Sequence, residues 1–177
     1  TAFDANGFKA NGFNGTVDLS GGIFGSETQT VGTGTGTWGY PLFTFWHDAR
    51  TQVIYRASDI GSAGVITSLS LNVTKKPGQI LNNWTIRMKH TPLSTYNTAT
   101  WETEDWTLVY QANENIGTTG WKTFVFTTPF QFNGLQNLMV DFSFNNSRCT
   151  SSGSCSYTQA SGNQSIYAYS DSGHGDP

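Results

Sequence analysis

The chain is poor in charge. Only 12% of its 177 residues are Asp, Glu, Lys or Arg, and the formal net charge is −3. That balance leaves no basic footprint for nucleic acid. No apolar run approaches the length needed to span a bilayer, so no membrane insertion is expected. Thr1 stands where an initiator Met or a signal peptide would, and the sequence reads as a processed chain or an excised fragment. No G-x-S-x-G elbow is present to hold a nucleophilic serine. Scarce charge often means disorder, but disordered chains also lack aromatics, and this one has 12 Phe, 7 Tyr and 6 Trp. Low charge combined with many aromatics and many Thr points to an all-β extracellular domain with a sizeable core.

The densest aromatic and β-branched run is Trp38 to Arg56. Its polar insert, His47-Asp48-Ala49-Arg50, separates Leu42, Phe43, Phe45 and Trp46 from Val53, Ile54 and Tyr55. The pattern predicts two core strands joined by a polar corner formed by His47, Asp48 and Arg50. An ion pair or turn hydrogen bonds at Asp48 and Arg50 is the plain expectation, and ligand contact is the alternative.

Further strands are expected where apolar and polar residues alternate. Leu69, Leu71 and Val73 alternate with Ser68, Ser70 and Asn72. Trp84, Ile86 and Met88 alternate with Thr85, Arg87 and Lys89. Leu138, Val140, Phe142 and Phe144 alternate with Met139, Asp141, Ser143 and Asn145. Strand-like runs also lie at 106–111, 121–127 and 165–169. Pro129 to Gly134 reads as a short connection. Residues 57–64 suit one helical turn, capped by Ser58 or Asp59 at its start and by Gly64 at its end. Residues 91–105 form the longest irregular stretch. Eight or nine strands at regular spacing predict a two-sheet antiparallel β-sandwich of jelly-roll type, with a closed barrel as the alternative.

Residues 1–30 stand apart from the sandwich domain expected at 31–177. They open with a repeated Ala-Asn-Gly-Phe, and Phe3, Phe8, Phe13, Val17 and Leu19 are spread among Gly and Asn. The Asn-Gly steps favour turns over helix. Three readings stand. Residues 1–30 form a β-hairpin packed on their own domain, they form an assembly arm that docks on a neighbouring subunit, or they are a linker. The literal G-x-G-x-x-G at Gly34 to Gly39 is followed by Tyr40-Pro41 and no helix, so it is read as an edge strand or linker rather than a dinucleotide site.

Cys149 and Cys155 are separated by a short polar linker. A disulfide between them is expected, worth about 2 kcal/mol, and implies an oxidising compartment. Sequons place candidate glycosylation at Asn14, Asn72, Asn83, Asn145 and Asn163. Sugar rings stack on flat apolar faces, which makes Tyr96, Trp101, Trp106, Tyr167 and Tyr169 candidates for polysaccharide contact. Each is equally a candidate core residue. Glu102, Glu104 and Asp105 suit a solvated acidic loop better than a glycosidase pair. His47 and His90 read as packed or surface side chains. No cofactor and no metal are expected, with calcium at the tail acids Asp171 and Asp176 as the alternative.

From Val31 onward the chain resembles a module repeated in large secreted and surface-anchored bacterial proteins, often beside fibronectin type III-like domains. The matching residues are Gly32 to Thr37, Tyr40-Pro41, Asp48 to Gln52, Tyr55 to Asp59, Ile66 to Leu69, Thr85 to Thr91, Gly120 to Phe124 and Asp171 to Pro177. The resemblance implies an extracellular accessory or adhesive module without a catalytic site. Its partners would be copies of itself, neighbouring surface domains or polysaccharide. The module continues past the Gly-Asp-Pro corner into a further strand, whereas this sequence stops at Pro177 and carries the extra segment 1–30. Strand complementation, in cis or from a neighbour, is the expectation that follows.

Overall fold

The computed structural model describes the backbone of residues 7–9, 11–13, 15–20 and 26–172, with side chains from residue 27 onward. Phe3, Asn14 and Asp176 lie outside the described residues. The chain forms a two-sheet β-sandwich in which all the pairings are antiparallel. Its strands in chain order are β1 (Gly7–Lys9), β2 (Asn11–Phe13), β3 (Gly15–Ser20), β4 (Ser26–Val31), β5 (Gly36–Trp38), β6 (Asp48–Tyr55), β7 (Gly64–Lys75), β8 (Leu81–Thr91), β9 (Thr107–Glu114), β10 (Gly120–Phe132), β11 (Asn137–Asn145), β12 (Ser154–Gln159) and β13 (Ser165–Ser170). One short helix, α1 (Ala57–Ile60), follows β6.

The first sheet runs β1-β13-β6-β11-β8-β9. The second is built on β7, with β10 along one side and β3 and β12 along the other. β4 flanks β3, while β2 and β5 flank β12. The core lies between the sheets. Val53, Phe142, Trp84 and Ile86 from the first face Leu69, Leu71, Phe124 and Cys155 from the second. Trp84 is fully buried, with Phe124 at 5.6 Å and Phe142 at 5.7 Å between ring centroids. A buried aromatic removes ~150–250 Å2 from water, so each is worth roughly 4–6 kcal/mol of transfer free energy.

The region from Trp38 to Arg56 differs from expectation. It contains one full strand, β6, and no polar corner. Asp48, Arg50 and Gln52 continue the period-two alternation and lie on the outer face, opposite Ala49, Thr51 and Val53 on the inner face. Residues 42–46 fold as turns, with the Leu42 and Thr44 amides donating to the Gly39 and Leu42 carbonyls at 2.8 and 2.9 Å. A loop at 150–153 secures them, since the Gly153 amide donates to the Leu42 carbonyl and Thr150 to that of Thr44. β10 runs through Pro129 to Phe132, past an irregularity between Val125 and Phe130, where a connection was expected. Helix α1 begins after Arg56 and ends at Gly61, whose φ of 97° suits a residue without Cβ.

The two cysteines are not joined. Cys155 lies on β12 with its thiol in the core, whereas Cys149 is exposed on the preceding loop. The strand that places Cys155 inside therefore directs it away from its expected partner. Burial pushes the Cys155 thiol far above its ordinary pKa, so it is held as the unreactive protonated form.

Candidate functional site

Two features stand out, one on the outer face of the first sheet and one along the strand edges where residues 7–20 lie.

On the outer face, register brings Gln52, Asp141 and Arg87 side by side on β6, β11 and β8, with Arg50 one step along β6. Asp141 is wholly buried and accepts three hydrogen bonds. Arg50 Nε and Gln52 Nε2 donate to Oδ2 at 2.9 and 2.8 Å, and Arg87 Nη2 donates to Oδ1 at 3.0 Å. Two guanidiniums thus share one carboxylate. Burial draws the Arg87 guanidinium below its ordinary pKa, and Asp141 opposes that shift. Arg50 Nη1 and Arg87 Nε are buried without a hydrogen-bond acceptor.

Indole faces compensate for part of this excess charge. The Arg50 guanidinium lies 4.5 Å from the centroid of Trp101, and Trp106 lies 5.2 Å from Arg87 and 5.5 Å from Lys89. Both tryptophans belong to the irregular stretch 92–106, which folds down as a cover. Gln52 anchors it through all its polar capacity. Its Oε1 accepts from Tyr96 Oη and the Glu102 amide, while its Nε2 donates to the Glu102 carbonyl as well as to Asp141. Lys89 Nζ donates to Glu102 Oε2 at 3.1 Å and to the Glu104 carbonyl at 3.0 Å. Beneath the cover, Tyr96, Ile54, Met139 and Ile166 form a second small core.

The five candidate sugar-stacking aromatics therefore divide. Tyr96 is buried and offers no platform. Trp101 and Trp106 are half-buried over cations. Tyr167 packs against Tyr40 and Trp38, at 4.6 and 5.3 Å. Tyr169 stacks on Trp46 at 4.4 Å, beside Phe43. Phe45, stacked at 6.2 Å on Phe43, extends this group to the surface and is 58% exposed. Phe43, Phe45 and Trp46 were expected in a strand, and the turns turn them toward Tyr169 instead.

His47 is not grouped with Arg50. Its amide donates to Asp171 Oδ1 at 3.1 Å, and its Nε2 lies 3.9 Å from the same oxygen. Among the described residues no three His, Cys, Asp or Glu side chains gather as metal ligands. Of the sequons, Asn83 is exposed, and Asn72, Asn145 and Asn163 are half-buried. The Asn83 side chain is engaged by Gln111 at 2.8 Å.

No protein-family model matches the chain, and no curated protein or solved structure matches it.

The second feature is main-chain pairing. β1 lies along β13, with Phe8 opposite Ile166. β2 lies along β12, with Phe13 opposite Tyr157. β3 lies between β7 and β4, with Val17 opposite Leu69 and Gln29, and Leu19 opposite Ile66 and Glu27. Residues 7–20 thus add strands to both sheets in a single pass, and β3 with β4 makes a hairpin against β7.

Proposed function

We propose that the chain is a non-catalytic extracellular β-sandwich of structural or adhesive kind, and that its N-terminal arm is the joint to a copy of itself or to a neighbouring surface domain. The pairing of residues 7–20 with β13, β12 and β7 carries this reading. Such bonds run between backbone groups and are the same whichever copy supplies the strand. Exchange of the arm between copies then costs little in contacts, and its departure bares the edges of β7, β12 and β13, which favour capture of another strand. A synthetic peptide of residues 1–30, added to a variant lacking them, is expected to bind and to raise its melting temperature. Failure to bind a folded variant contradicts the proposal.

The second reading is a carbohydrate-binding module of a secreted polysaccharide-active enzyme. Exposed Phe45, set on the half-buried Phe43, Trp46 and Tyr169, favours it, because the group presents an apolar aromatic face beside the polar His47 and Asp171. Affinity electrophoresis in insoluble and soluble polysaccharides tests it. Retention that Phe45→Ala weakens supports the module, and retention unaffected by Phe45→Ala removes this face from consideration.

A further inference from the structure

A cavity of about 420 Å3 opens between the end of β4, the start of α1 and the turn joining β12 to β13. That volume is within the ~300–1,000 Å3 range of small-molecule sites. Its polar lining includes Thr30, Thr33, Arg56, Asp59, Ser161 and Gln164. None of these residues takes part in the buried cluster around Asp141 or in the aromatic stack at Phe45.

One of the lining groups, Arg56, lacks the partner its burial calls for. Gln164 is only 8% exposed and lines the cavity. Its main-chain carbonyl is occupied by the Ile54 amide at 2.8 Å, which fixes the residue at the cavity wall. Arg56 Nε is buried without an acceptor, and Nη2 reaches only Ser161 Oγ at 3.5 Å. Among the described residues, neither Arg56 nor Asp59 forms an ion pair. A buried donor left unpaired costs free energy, and native sites of that kind are commonly completed by a ligand or water.

We infer that this cavity is a binding site for a neutral sugar, about one or two pyranose rings at the end of a glycan. The charges of Arg56 and Asp59 cancel, which disfavours a strongly anionic or cationic occupant. Sugar hydroxyls both donate and accept. They match the Arg56 donor, the Asp59 acceptor and the Gln164 amide, which does both. The inference is independent of the arm, since it requires no second copy.

Saturation-transfer NMR on the full chain tests it, with the methyl glycosides of glucose, galactose, mannose and N-acetylglucosamine as probes and methyl glucuronide as the anionic comparator. Light scattering on the same samples records assembly separately. The site predicts transfer to at least one neutral glycoside and a roughly tenfold weaker affinity in Arg56→Met and in Gln164→Leu. If either variant melts differently from the parent, the exposed Asp59→Asn decides, and it too is expected to bind more weakly. No transfer to any neutral glycoside, transfer to the glucuronide alone, or unchanged affinity in folded variants overturns the assignment.

Discussion

Asp141 is the residue on which the outer face depends. Its carboxylate is the shared acceptor for Arg50, Arg87 and Gln52, and it has no exposure to water. Asp141→Asn keeps the shape and removes the charge, leaving buried Arg50 and half-buried Arg87 without their shared anion. Breaking a buried pair in this way costs about 3–5 kcal/mol. Urea denaturation followed by tryptophan fluorescence checks it, and a loss below about 1 kcal/mol contradicts the role given to Asp141. His90 supplies a pH dependence. Its Nε2 accepts from the Asn133 amide at 3.1 Å and its ring packs on Phe130 and Phe132. Burial lowers its pKa from the ordinary 6.5. The folded state thus binds the proton less readily than the unfolded one. The contribution of neutral His90 is complete above about pH 6.5 and is lost progressively as pH falls below it. Stability measured from pH 7.5 to 5 is expected to fall less steeply in His90→Gln than in the parent. Equal slopes contradict the assignment.

Among elements, legibility followed burial. β7, β8, β11 and β13 carry clear alternating or apolar patterns; the sequence places β11 and β13 within one residue of their bounds, and finds β7 and β8 but leaves their ends short. β6 was harder because both of its faces are covered, the inner by the second sheet and the outer by residues 92–106. Charged residues on a buried face resemble a corner until the covering loop is known. β12 escaped notice because it is short, rich in Ser and Thr, and contains the cysteine assigned to a loop. The cluster around Asp141 was partly readable. Asp141 breaks the run from Leu138 to Phe144 as the single charge, and Arg87 and Lys89 share one face of β8. Register across three strands was needed to bring them together, and no local pattern supplies it. The arm was readable as a separate segment, but its pairing depends on contacts far along the chain. The cavity at Gln164 likewise joins parts of the chain more than a hundred residues apart.

At the scale of the whole molecule, the sandwich's assembly turns on the proposed role of the arm. Its strands extend both sheets, so the same segment contributes to folding within a copy and offers a means of joining two. A swapped arm preserves every ladder bond while linking copies head to tail, and such a contact propagates into rings or filaments according to the rotation between copies. On the proposed reading, the disposition of the arm sets the balance between the closed monomer and the chain of subunits. Concentration shifts it, because exchange is bimolecular. The direct measurement is the assembly state of the full chain against a variant lacking residues 1–30, by light scattering across concentration with negative-stain electron microscopy. The arm as joint predicts filaments or regular oligomers of the full chain, with none from the folded variant. A full chain that stays monomeric at every concentration, or a variant that assembles as the full chain does, contradicts it.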